Sequence, residues 1–394
     1  MPMPLTGIRV VDLSRHAPGP YCTMLMADLG ADVVVVEEPP GVGRRVDREM
    51  GVSERTKAFL PMGRNKRSIA LDLKDESMRE ALLRLVEGAD VVVEGFRPGV
   101  VRRLGIDYES VKQRNPRIVY CSISGYGQTG PLASLPGHDL NYISLAGTLG
   151  MIGSPGQAPS IPLNVLADFA GGGLFAAFSI LAAVIARERT GAGQYIDMAM
   201  SDGVMSLACL AASDYFASGT PPRPGEHYLN GAYPCYSVYA TADDKWLSVA
   251  CMEPWFWKNL CQALGCEEYT AEQFNPDKFP EMFDFLRRKL KQKTRDEWFA
   301  ELREQEICAT PVYGLDEALE DPHNRARGMI AEVEHPEYGR IPQIGVAPKF
   351  SDTPGSVRTP APKPGEHTEE ILREAGYSSE EIAHLTAWRR AGSS

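Results

Sequence analysis

Short apolar strands alternate with helix-length segments over the first third of the chain, and this alternation limits the possible folds more than any other feature. The strands are rich in valine and isoleucine, which favour extended backbone. They are predicted at Ile8–Leu13, Val33–Glu37, Ser68–Asp72, Asp90–Glu94 and Arg117–Ser124, with helices at Pro18–Met26, Glu76–Val86 and Val100–Leu104. Buried strands separated by helices form parallel sheets. The sequence therefore predicts an α/β domain with a parallel sheet and helices on both faces.

A dinucleotide cofactor is not expected, because the first strand is not followed by the glycine pattern that binds one. The pattern Gly-x-Gly-x-x-Gly normally joins this strand to the next helix and lets the backbone approach a pyrophosphate. Here the loop reads Arg-His-Ala-Pro-Gly-Pro over residues 15–20. His16 in this turn is either a polar contact or a solvated loop residue.

The second half of the chain has a different organisation. Prolines and a glycine at 220–225 break the chain after an apolar helix predicted at about 202–218. The elements predicted beyond this break are a hairpin over Tyr236–Ala250, helices near Trp255–Leu264, Glu281–Gln292 and Arg295–Glu304, an extended segment over Pro336–Gly365 and an amphipathic helix over Thr368–Arg389. We therefore predict a large α/β domain over residues 1–220, a smaller α+β domain over 221–330, and a return of 331–394 to the first domain.

Charge and cysteine content argue against several classes of protein. The formal net charge is −11, which does not favour a nucleic acid or an anionic membrane as partner. The eight cysteines show no Cys-x-x-Cys pair or metal-site spacing, and the N-terminus does not resemble a signal peptide. Reduced thiols, a cytoplasmic location and no bound metal are therefore expected. The longest apolar run, Leu174–Ala186, is too short to cross a bilayer and predicts a buried helix.

A histidine and an aspartate stand at the ends of predicted helices between Pro136 and Phe175. His138 lies in the segment Pro-Gly-His-Asp-Leu-Asn-Tyr, and Asp168 is closely followed by three glycines. Carboxylates are favoured near helix N-termini by the helix dipole, and glycines let another group approach the backbone. These residues predict a site that places one carboxylate beside an anion-stabilising helix end. The same features also fit a plain helix cap and a loop histidine, so the residues alone leave both interpretations open.

Several segments occur in the same order as in one enzyme superfamily. They are Glu37–Pro40, Gly63–Ser68, Glu94–Gly99, Ser124–Pro131, Gly137–Tyr142, the segment around Asp168, Met252–Pro254 and Gly365–Glu370. Together they resemble the family III CoA-transferases, also called the CaiB/BaiF superfamily, and most of all its α-methylacyl-CoA racemases. The resemblance implies a large Rossmann-like α/β domain built from both chain ends, a smaller α+β middle domain, and an interlocked homodimer with shared active sites.

The resemblance also implies catalytic roles for three residues. In the transferases, an aspartate matched by Asp168 is the nucleophile that forms acyl intermediates. The racemases pair this aspartate with a histidine and a glutamate, which are matched by His138 and Glu253. A thioester acidifies its α-hydrogen, so His138 and Asp168 can exchange protons on opposite faces of a planar enolate. Glu253 would fix the imidazole tautomer, and backbone N–H groups at the Asp168 helix end would hold the enolate oxygen. A surface carboxylate on a hairpin is the alternative for Glu253.

Coenzyme A is part of the substrate in this interpretation, and no separate cofactor is expected. Its phosphates require cations, which α/β proteins often place in loops at the ends of strands. The predicted CoA-binding residues are Lys66, Arg67, Arg97 and Asp139, and the weaker candidates are Arg44, Arg45 and Arg64. Solvated surface charge is the alternative for each of the cations.

Three functions stay open on the sequence alone. The leading interpretation is a racemase or epimerase of 2-methylacyl-CoA thioesters that works by two-base α-proton transfer. The alternative is a CoA-transferase that moves CoA between carboxylic acids through an acyl intermediate on Asp168. Several such transferases use a glycine-rich Gly-Gly-Gly-Gly-Gln loop, which this sequence lacks. A non-catalytic acyl-CoA-binding protein would not need His138 and Glu253. Tyr233, in the segment Asn-Gly-Ala-Tyr-Pro, is expected to border the acyl pocket and reshape it.

Overall fold

The computed structural model of the chain describes residues 2–39 and 53–388. Arg44 and Arg45, predicted as weaker CoA-binding candidates, lie outside these described residues. The chain forms two compact units. The first comprises residues 1–146, 162–207 and 323–394, and the second comprises 147–161 and 208–322.

A six-stranded parallel sheet forms the centre of the first unit. Its strands are β1 Arg9–Asp12, β2 Asp32–Glu37, β3 Lys66–Ala70, β4 Val91–Glu94, β5 Val119–Ser124 and β6 Tyr195–Ala199, in the spatial order β3-β2-β1-β4-β5-β6. Val10 of β1, for example, pairs with Val33 of β2 and with Val91 of β4. The predicted parallel sheet and α/β class are confirmed. Because the strand order reverses at β1, the loops after β1 and β4 border the crevice where open α/β sheets bind ligands.

Helices connect these strands and cover the sheet. They are α1 Pro18–Asp28, α2 Glu54–Phe59, a 3₁₀ turn at Pro61–Gly63, α3 Glu76–Glu87, α4 Val100–Leu104, α5 Tyr108–Arg114, α6 Asp139–Leu145, a π-helix Val165–Leu174, α7 Phe175–Thr190 and α8 Met200–Leu207. Side-chain caps begin two of them, since Asp75 accepts from the N–H groups of the first turn of α3 and Asp107 does the same for α5. Helix α5 is not among the predicted helices, because Val111 is the one buried side chain in its seven residues.

The π-helix and α7 form one continuous helix of 26 residues, Val165–Thr190. The expectation that the apolar run at 174–186 is too short to cross a bilayer is therefore wrong on length, because the π-helix extends it towards the N-terminus. By length and composition alone the helix could span a membrane, with a mean hydropathy of 2.1 in its most apolar window, of which 39% is buried. This is weak support for a membrane location, since core helices of soluble proteins have the same length and composition.

The hydrophobic core of the first unit combines residues from both ends of the chain. Leu13 of the loop after β1, Ile69 of β3, Leu82 of α3 and Tyr120 of β5 belong to one buried cluster. The cluster also includes Ile371 of the helix Thr368–Glu374, because the chain returns to this unit after residue 322. The returning elements are α14 Pro322–Ala326, the antiparallel strands β10 Ile330–His335 and β11 Gly339–Ile344, and helices α15 Thr368–Glu374 and α16 Ser379–Leu385.

Two predictions for the returning part of the chain need correction. The extended segment predicted from Pro336 begins instead with strand β11, whose residues pair with β10. The single amphipathic helix predicted over Thr368–Arg389 is two short helices, and a new Ser378 cap starts the second of them. Both errors arise because composition shows proline, glycine and apolar content but does not show local pairing or capping.

The second unit is built around a three-stranded antiparallel sheet. Its elements are a 3₁₀ turn at Leu149–Met151, α9 Cys209–Ser218, β7 Tyr236–Ala240, β8 Trp246–Ala250, α10 Pro254–Leu264, 3₁₀ turns at Glu267–Glu272 and Pro276–Lys278, α11 Phe279–Leu290, α12 Arg295–Leu302, β9 Ala309–Val312 and α13 Leu315–Glu320. The predicted hairpin is confirmed as the β7–β8 pair. The single helix predicted over 202–218 is wrong, because Ala208 leaves the helical conformation with ψ 13° and separates α8 from α9.

Candidate active site

A tightly packed turn between β5 and α6 places His138. The ring of Tyr142 lies so close to Gly125 and Gly137 that a Cβ on either glycine would clash with it. The Tyr142 hydroxyl donates to the Gly137 carbonyl oxygen, and the His138 backbone N–H donates to Asn141 Oδ1 at 3.0 Å. His138 is thereby held at the N-cap position of α6 with its side chain exposed. Because Gly125 and Gly137 have no side chain, the Tyr142 ring can pack closely against this turn.

Asp139, the next residue, is buried and connects α6 to the π-helix. Its side chain is 4% exposed. Its Oδ2 accepts hydrogen bonds from the backbone N–H groups of Ala167 at 2.7 Å and Asp168 at 2.9 Å. A charged acceptor makes such bonds stronger than neutral ones. The described contacts of Asp139 are thus internal to the protein, and they determine where the backbone of Asp168 lies.

Asp168 lies in the first turn of the π-helix Val165–Leu174, and it does not cap a helix. Asn164 occupies the N-cap position, and its Nδ2 donates to Asp168 Oδ2 at 3.0 Å. The prediction that Asp168 is a simple helix cap is therefore wrong. The prediction that nearby backbone N–H groups hold an enolate oxygen is also wrong for those of Ala167 and Asp168, because both donate to Asp139.

The three glycines behind Asp168 serve helix packing. A Cβ on Gly171 would lie 2.8 Å from the backbone nitrogen of Val204 in α8, and a Cβ on Gly173 would lie 2.7 Å from the Pro18 carbonyl oxygen in α1. Gly203 of α8 is closer still, since a Cβ there would lie 1.9 Å from the Gly171 carbonyl oxygen. Because these glycines have no side chain, the backbones of α8 and α1 can pack closely against the π-helix. This packing supports a widened helical turn at Asp168, and π-turns of this kind are frequent at functional sites.

The Asn164 amide contacts the Asp168 carboxylate, and four ionisable side chains lie within electrostatic range of it. Burial raises the pKa of Asp168 above its usual value, and the Asp139 carboxylate raises it further. The hydrogen bond from Asn164 and the positive potential of His138 and His16 act in the opposite direction. Tyr142 also lies within electrostatic range, and burial raises the pKa of its hydroxyl to about 12.

His138, Asp168 and His16 all belong to the first unit, and Asp139 joins the segment of His138 to the backbone of Asp168. Glu253, the third predicted catalytic residue, belongs to the second unit, where it is exposed and occupies the N-cap position of α10. Its pairing with His138 stays a prediction.

The predicted CoA-binding cations differ in their surroundings. Lys66 is buried, and its ammonium contacts Asp12 Oδ2 at 3.2 Å and Thr23 Oγ1 at 2.6 Å. Burial lowers the pKa of Lys66, and Asp12 opposes that shift. Arg67 forms ion pairs with three carboxylates, those of Asp32, Glu370 and Glu374, and Arg64 forms a buried pair with Asp28 at 2.6 Å. These three cations are neutralised by carboxylates of the chain itself.

Arg97 has a different environment from the other predicted cations. It is exposed in the loop after β4, and it has no ion pair with another described residue. Its charge lowers the pKa of Tyr142, which packs against the Gly137-His138 turn. Arg97 therefore lies at the ligand-binding edge of the sheet and on the side where His138 is held.

Asn164, which contacts Asp168, and Glu94, which is buried at the end of β4, were not predicted from the sequence, although each carries a signal there. Asn164 stands four residues before Asp168, the spacing that brings two side chains together on a helical turn, and this spacing could have indicated their contact. Glu94 is 1% exposed at the end of β4, and its Oε2 accepts from the Phe96 N–H at 2.7 Å. A glutamate at the end of an apolar strand therefore indicates a buried carboxylate that accepts a hydrogen bond from the loop that follows.

A cavity of about 840 Å³ lies in the first unit, and the start of α1 contributes Pro20 to its lining. Its described lining includes charged and polar side chains from several segments: Asp12, His16, Glu37, Lys66, Tyr338 and Lys363. Its size is within the range of small-molecule sites. His16 is one of the residues that line this cavity.

Comparison with known proteins gives one consistent result. The family described as CoA-transferase family III matches residues 5–368. An alpha-methylacyl-CoA racemase of Homo sapiens is 40% identical over 388 residues, which cover 98% of this chain and 97% of the human protein. A succinyl-CoA–D-citramalate CoA-transferase of Chloroflexus aurantiacus is 32% identical over 402 residues, covering 98% of both chains. A solved structure of a CAIB/BAIF family protein from Brucella suis is 32% identical, with a TM-score of 0.80 over 95% of this chain and all of that one.

Proposed function

The chain belongs to CoA-transferase family III, and on that premise we propose that it is a racemase or epimerase of 2-methylacyl-CoA thioesters. The observation that carries the proposal is the contact between the two segments: Asp139, the residue after His138, accepts a hydrogen bond from the backbone N–H of Asp168 at 2.9 Å. The 40% identity to the human racemase over nearly the whole chain supports the same activity.

The arrangement suits proton transfer on the two faces of a planar enolate. The His138 imidazole removes the α-proton from one face, and the electron pair moves into the thioester carbonyl to give an enolate. Protonated Asp168 then returns a proton to the α-carbon from the other face. A base that must also act as an acid works best when its pKa lies near the working pH. Burial and Asp139 move the pKa of Asp168 in that direction.

CoA binding is proposed to depend mainly on Arg97 among the predicted cations. Arg97 is exposed, whereas Lys66 and Arg67 are engaged by carboxylates of the chain. A charge-assisted contact with phosphate is worth about 1.5–3 kcal/mol, so Arg97→Ala should weaken CoA-ester binding roughly tenfold or more. Titration calorimetry at low salt measures this. Arg325→Ala removes a cation from the returning segment and serves as a control, and equal loss in both variants would remove Arg97 from the site.

A homodimer with shared active sites is part of the proposal. Leu174, Phe178 and Ile185 lie on one side of the long helix and are 51%, 67% and 57% exposed. Their spacing of four and seven residues makes one apolar stripe, which a second copy of the chain could cover. We therefore propose a cytoplasmic homodimer with no membrane partner. Ultracentrifugation that shows a monomer at all concentrations would contradict the dimer.

The decisive experiment follows α-proton exchange in deuterated water with each enantiomer of a 2-methylacyl-CoA. His138→Ala and Asp168→Ala should each abolish racemisation, and each variant should exchange the α-proton of one enantiomer only, with the enantiomer switched between the two variants. The enantiomer that exchanges should differ between the variants because the base that remains can reach the α-hydrogen of one enantiomer only. His384→Ala, an exposed histidine of α16, should behave as the wild type.

A CoA-transferase is the second candidate, and the Chloroflexus relative supports it. In that mechanism the Asp168 carboxylate attacks the thioester carbonyl, the C–S bond breaks, and CoA leaves as a thiolate. Asp168→Ala would then abolish all activity, His138→Ala would keep substantial CoA transfer, and hydroxylamine would trap an acyl group on Asp168 of the wild type. Trapping together with a tolerant His138 would overturn the racemase proposal.

A further inference from the structure

The peptide group that joins Gly137 to His138 is held at both of its polar atoms. Its carbonyl oxygen accepts a hydrogen bond from the Tyr142 hydroxyl, and its N–H donates to Asn141 Oδ1 at 3.0 Å. Both partners are side chains of α6, the helix that begins directly after His138. A peptide group is planar, so fixing its two polar atoms fixes the plane from which the His138 side chain projects.

The imidazole of His138 depends on this backbone because it has no anchor of its own. The side chain is exposed, and it forms no hydrogen bond with another residue that the structure describes. A catalytic base must face the hydrogen that it removes, and a displacement of about 1 Å can lower a rate on the order of a hundredfold. A change in the orientation of the peptide before His138 would therefore move the imidazole.

The Tyr142 ring connects this turn to the central sheet. Tyr142 is 7% exposed, and its ring packs against two glycines, where a Cβ on Gly125 would lie 2.2 Å from it and a Cβ on Gly137 would lie 2.7 Å from it. Gly125 directly follows β5, and its carbonyl oxygen accepts from the Ser201 N–H of α8 at 3.0 Å. The Tyr126 ring packs edge-on against the Tyr142 ring, with centroids 5.0 Å apart. The hydroxyl of Tyr142 is thus held rigidly against the turn.

Other side chains hold the second proposed base. The Asp168 backbone N–H donates to Asp139 Oδ2 at 2.9 Å, and the Asp168 carboxylate accepts from Asn164 Nδ2 at 3.0 Å. The Tyr142 hydroxyl makes its hydrogen bond on the His138 side, to the Gly137 carbonyl oxygen. Removing that hydroxyl therefore breaks a contact of one base and leaves the contacts of the other intact.

We propose that Tyr142 is a positioning residue for His138, whose hydroxyl and ring hold the Gly137–His138 peptide so that the imidazole faces one side of the substrate. The proposal rests on the proposed function, in which His138 and Asp168 act on opposite faces of one enolate. Loss of the Tyr142 hydroxyl should then slow proton transfer on the His138 face only. A general contribution to stability would affect both faces equally.

The test uses Tyr142→Phe, which removes the hydroxyl and keeps the ring. Exchange of the α-proton in deuterated water is measured with each enantiomer of a 2-methylacyl-CoA, and kcat and KM are determined separately. His138→Ala identifies the enantiomer whose hydrogen His138 removes. Asn141→Ala removes the other contact of the same peptide group. Tyr120→Phe is the matched control, because Tyr120 is 1% exposed in the same unit and its hydroxyl donates to the Ile106 carbonyl oxygen at 2.9 Å.

The expected result is a loss for one enantiomer only. In Tyr142→Phe, kcat for the enantiomer that reacts with His138 should fall by about threefold to tenfold, the range for one hydrogen bond, whereas kcat for the other enantiomer and both KM values should change by less than about twofold. Asn141→Ala should show the same asymmetry, and Tyr120→Phe should show none. Racemisation should slow equally in both directions, because it requires both bases.

Three outcomes of these kinetics would overturn the proposal. An equal loss for both enantiomers would make Tyr142 a structural residue of α6. A change confined to KM would make it a substrate contact. Unchanged rates would show that the hydroxyl does not position His138.

A second measurement does not depend on the reaction. Amide hydrogen exchange followed by mass spectrometry should show that residues 136–144 exchange at least about threefold faster in Tyr142→Phe than in the wild type or in Tyr120→Phe, because the turn has lost a hydrogen bond. Unchanged protection of this segment would overturn the proposal. Failure of the proposed function is distinguishable, since the wild type would then exchange the α-proton of neither enantiomer while faster amide exchange in Tyr142→Phe would still support the hold of Tyr142 on His138.

Discussion

Replacing Asp139 should separate its structural contribution from its electrostatic one. The Asp139 carboxylate is 4% exposed and accepts two backbone hydrogen bonds, from Ala167 and Asp168. Asp139→Ala leaves both N–H groups without their acceptor. One hydrogen bond to a charged group contributes about 1.5–3 kcal/mol, so the loss of two should lower the free energy of unfolding by about 3–6 kcal/mol. Asp139→Asn keeps an acceptor of the same shape and should cost about 1 kcal/mol or less.

The same pair of variants should change the pH dependence of catalysis. The Asp139 charge helps to raise the pKa of Asp168, so Asp139→Asn should lower that pKa. Asp168 then ionises at a lower pH, and the rise of the α-exchange rate with pH moves to lower pH. A shift in this direction would show that the Asp139 charge acts on the carboxylate of Asp168.

Urea denaturation followed by far-UV circular dichroism measures the stability of these variants. Tryptophan fluorescence is less suitable, because most of the tryptophans lie in the second unit: Trp246, Trp255, Trp257 and Trp298. Asp284→Asn is the matched control, with a side chain that is 64% exposed. It should change stability by less than about 0.5 kcal/mol. Equal destabilisation by the alanine and asparagine variants of Asp139, or a shift of the pH profile to higher pH, would refute the reasoning.

Two further predictions concern stability. Burial raises the pKa of Glu94 from 4.5 to about 7, so the native state binds more protons than the unfolded chain between these pH values. The free energy of unfolding should therefore fall by about 3 kcal/mol as the pH rises from 4.5 to 7. Glu94→Gln should remove this dependence in calorimetry at several pH values. An unchanged slope would contradict the buried environment. Gly203→Ala would place a methyl group against the Gly171 carbonyl and should cost about 1–3 kcal/mol and most of the activity. Gly150→Ala, where no atom lies within 4 Å of the new Cβ, should be nearly neutral in the same urea titration, and similar losses in both variants would refute the packing argument.

Much of the fold could be predicted from the sequence because its causes are local. Runs of valine and isoleucine determined the strands of the parallel sheet, and the observed strands lie within two residues of the predicted ones at most ends. Glycine and proline marked the turns, and order of motifs along the chain indicated the family. The candidate catalytic residues His138 and Asp168 were found in the same way, from short segments with a known arrangement.

The tertiary structure alone decided which charges are available to a ligand. Lys66 pairs with Asp12, which is 54 residues away in sequence, and Arg67 pairs with Glu374 near the end of the chain. Nothing in the local sequence distinguishes these cations from Arg97, which has no such partner among the described residues. The partner of a charged side chain is the group that the fold brings within a few ångströms of it. The separation of two residues along the sequence does not predict that distance.

The geometry around Asp168 was likewise decided by packing. The π-helix is compatible with its neighbours because Gly171 and Gly173 lie against the backbones of α8 and α1. The backbone N–H groups of Ala167 and Asp168 donate to the Asp139 carboxylate, whereas backbone N–H groups near Asp168 were predicted to bind an enolate oxygen. Residue types near Asp168 were therefore sufficient to indicate an anionic site with histidines. Which hydrogen bonds each group makes depended on contacts between helices that are far apart in the chain.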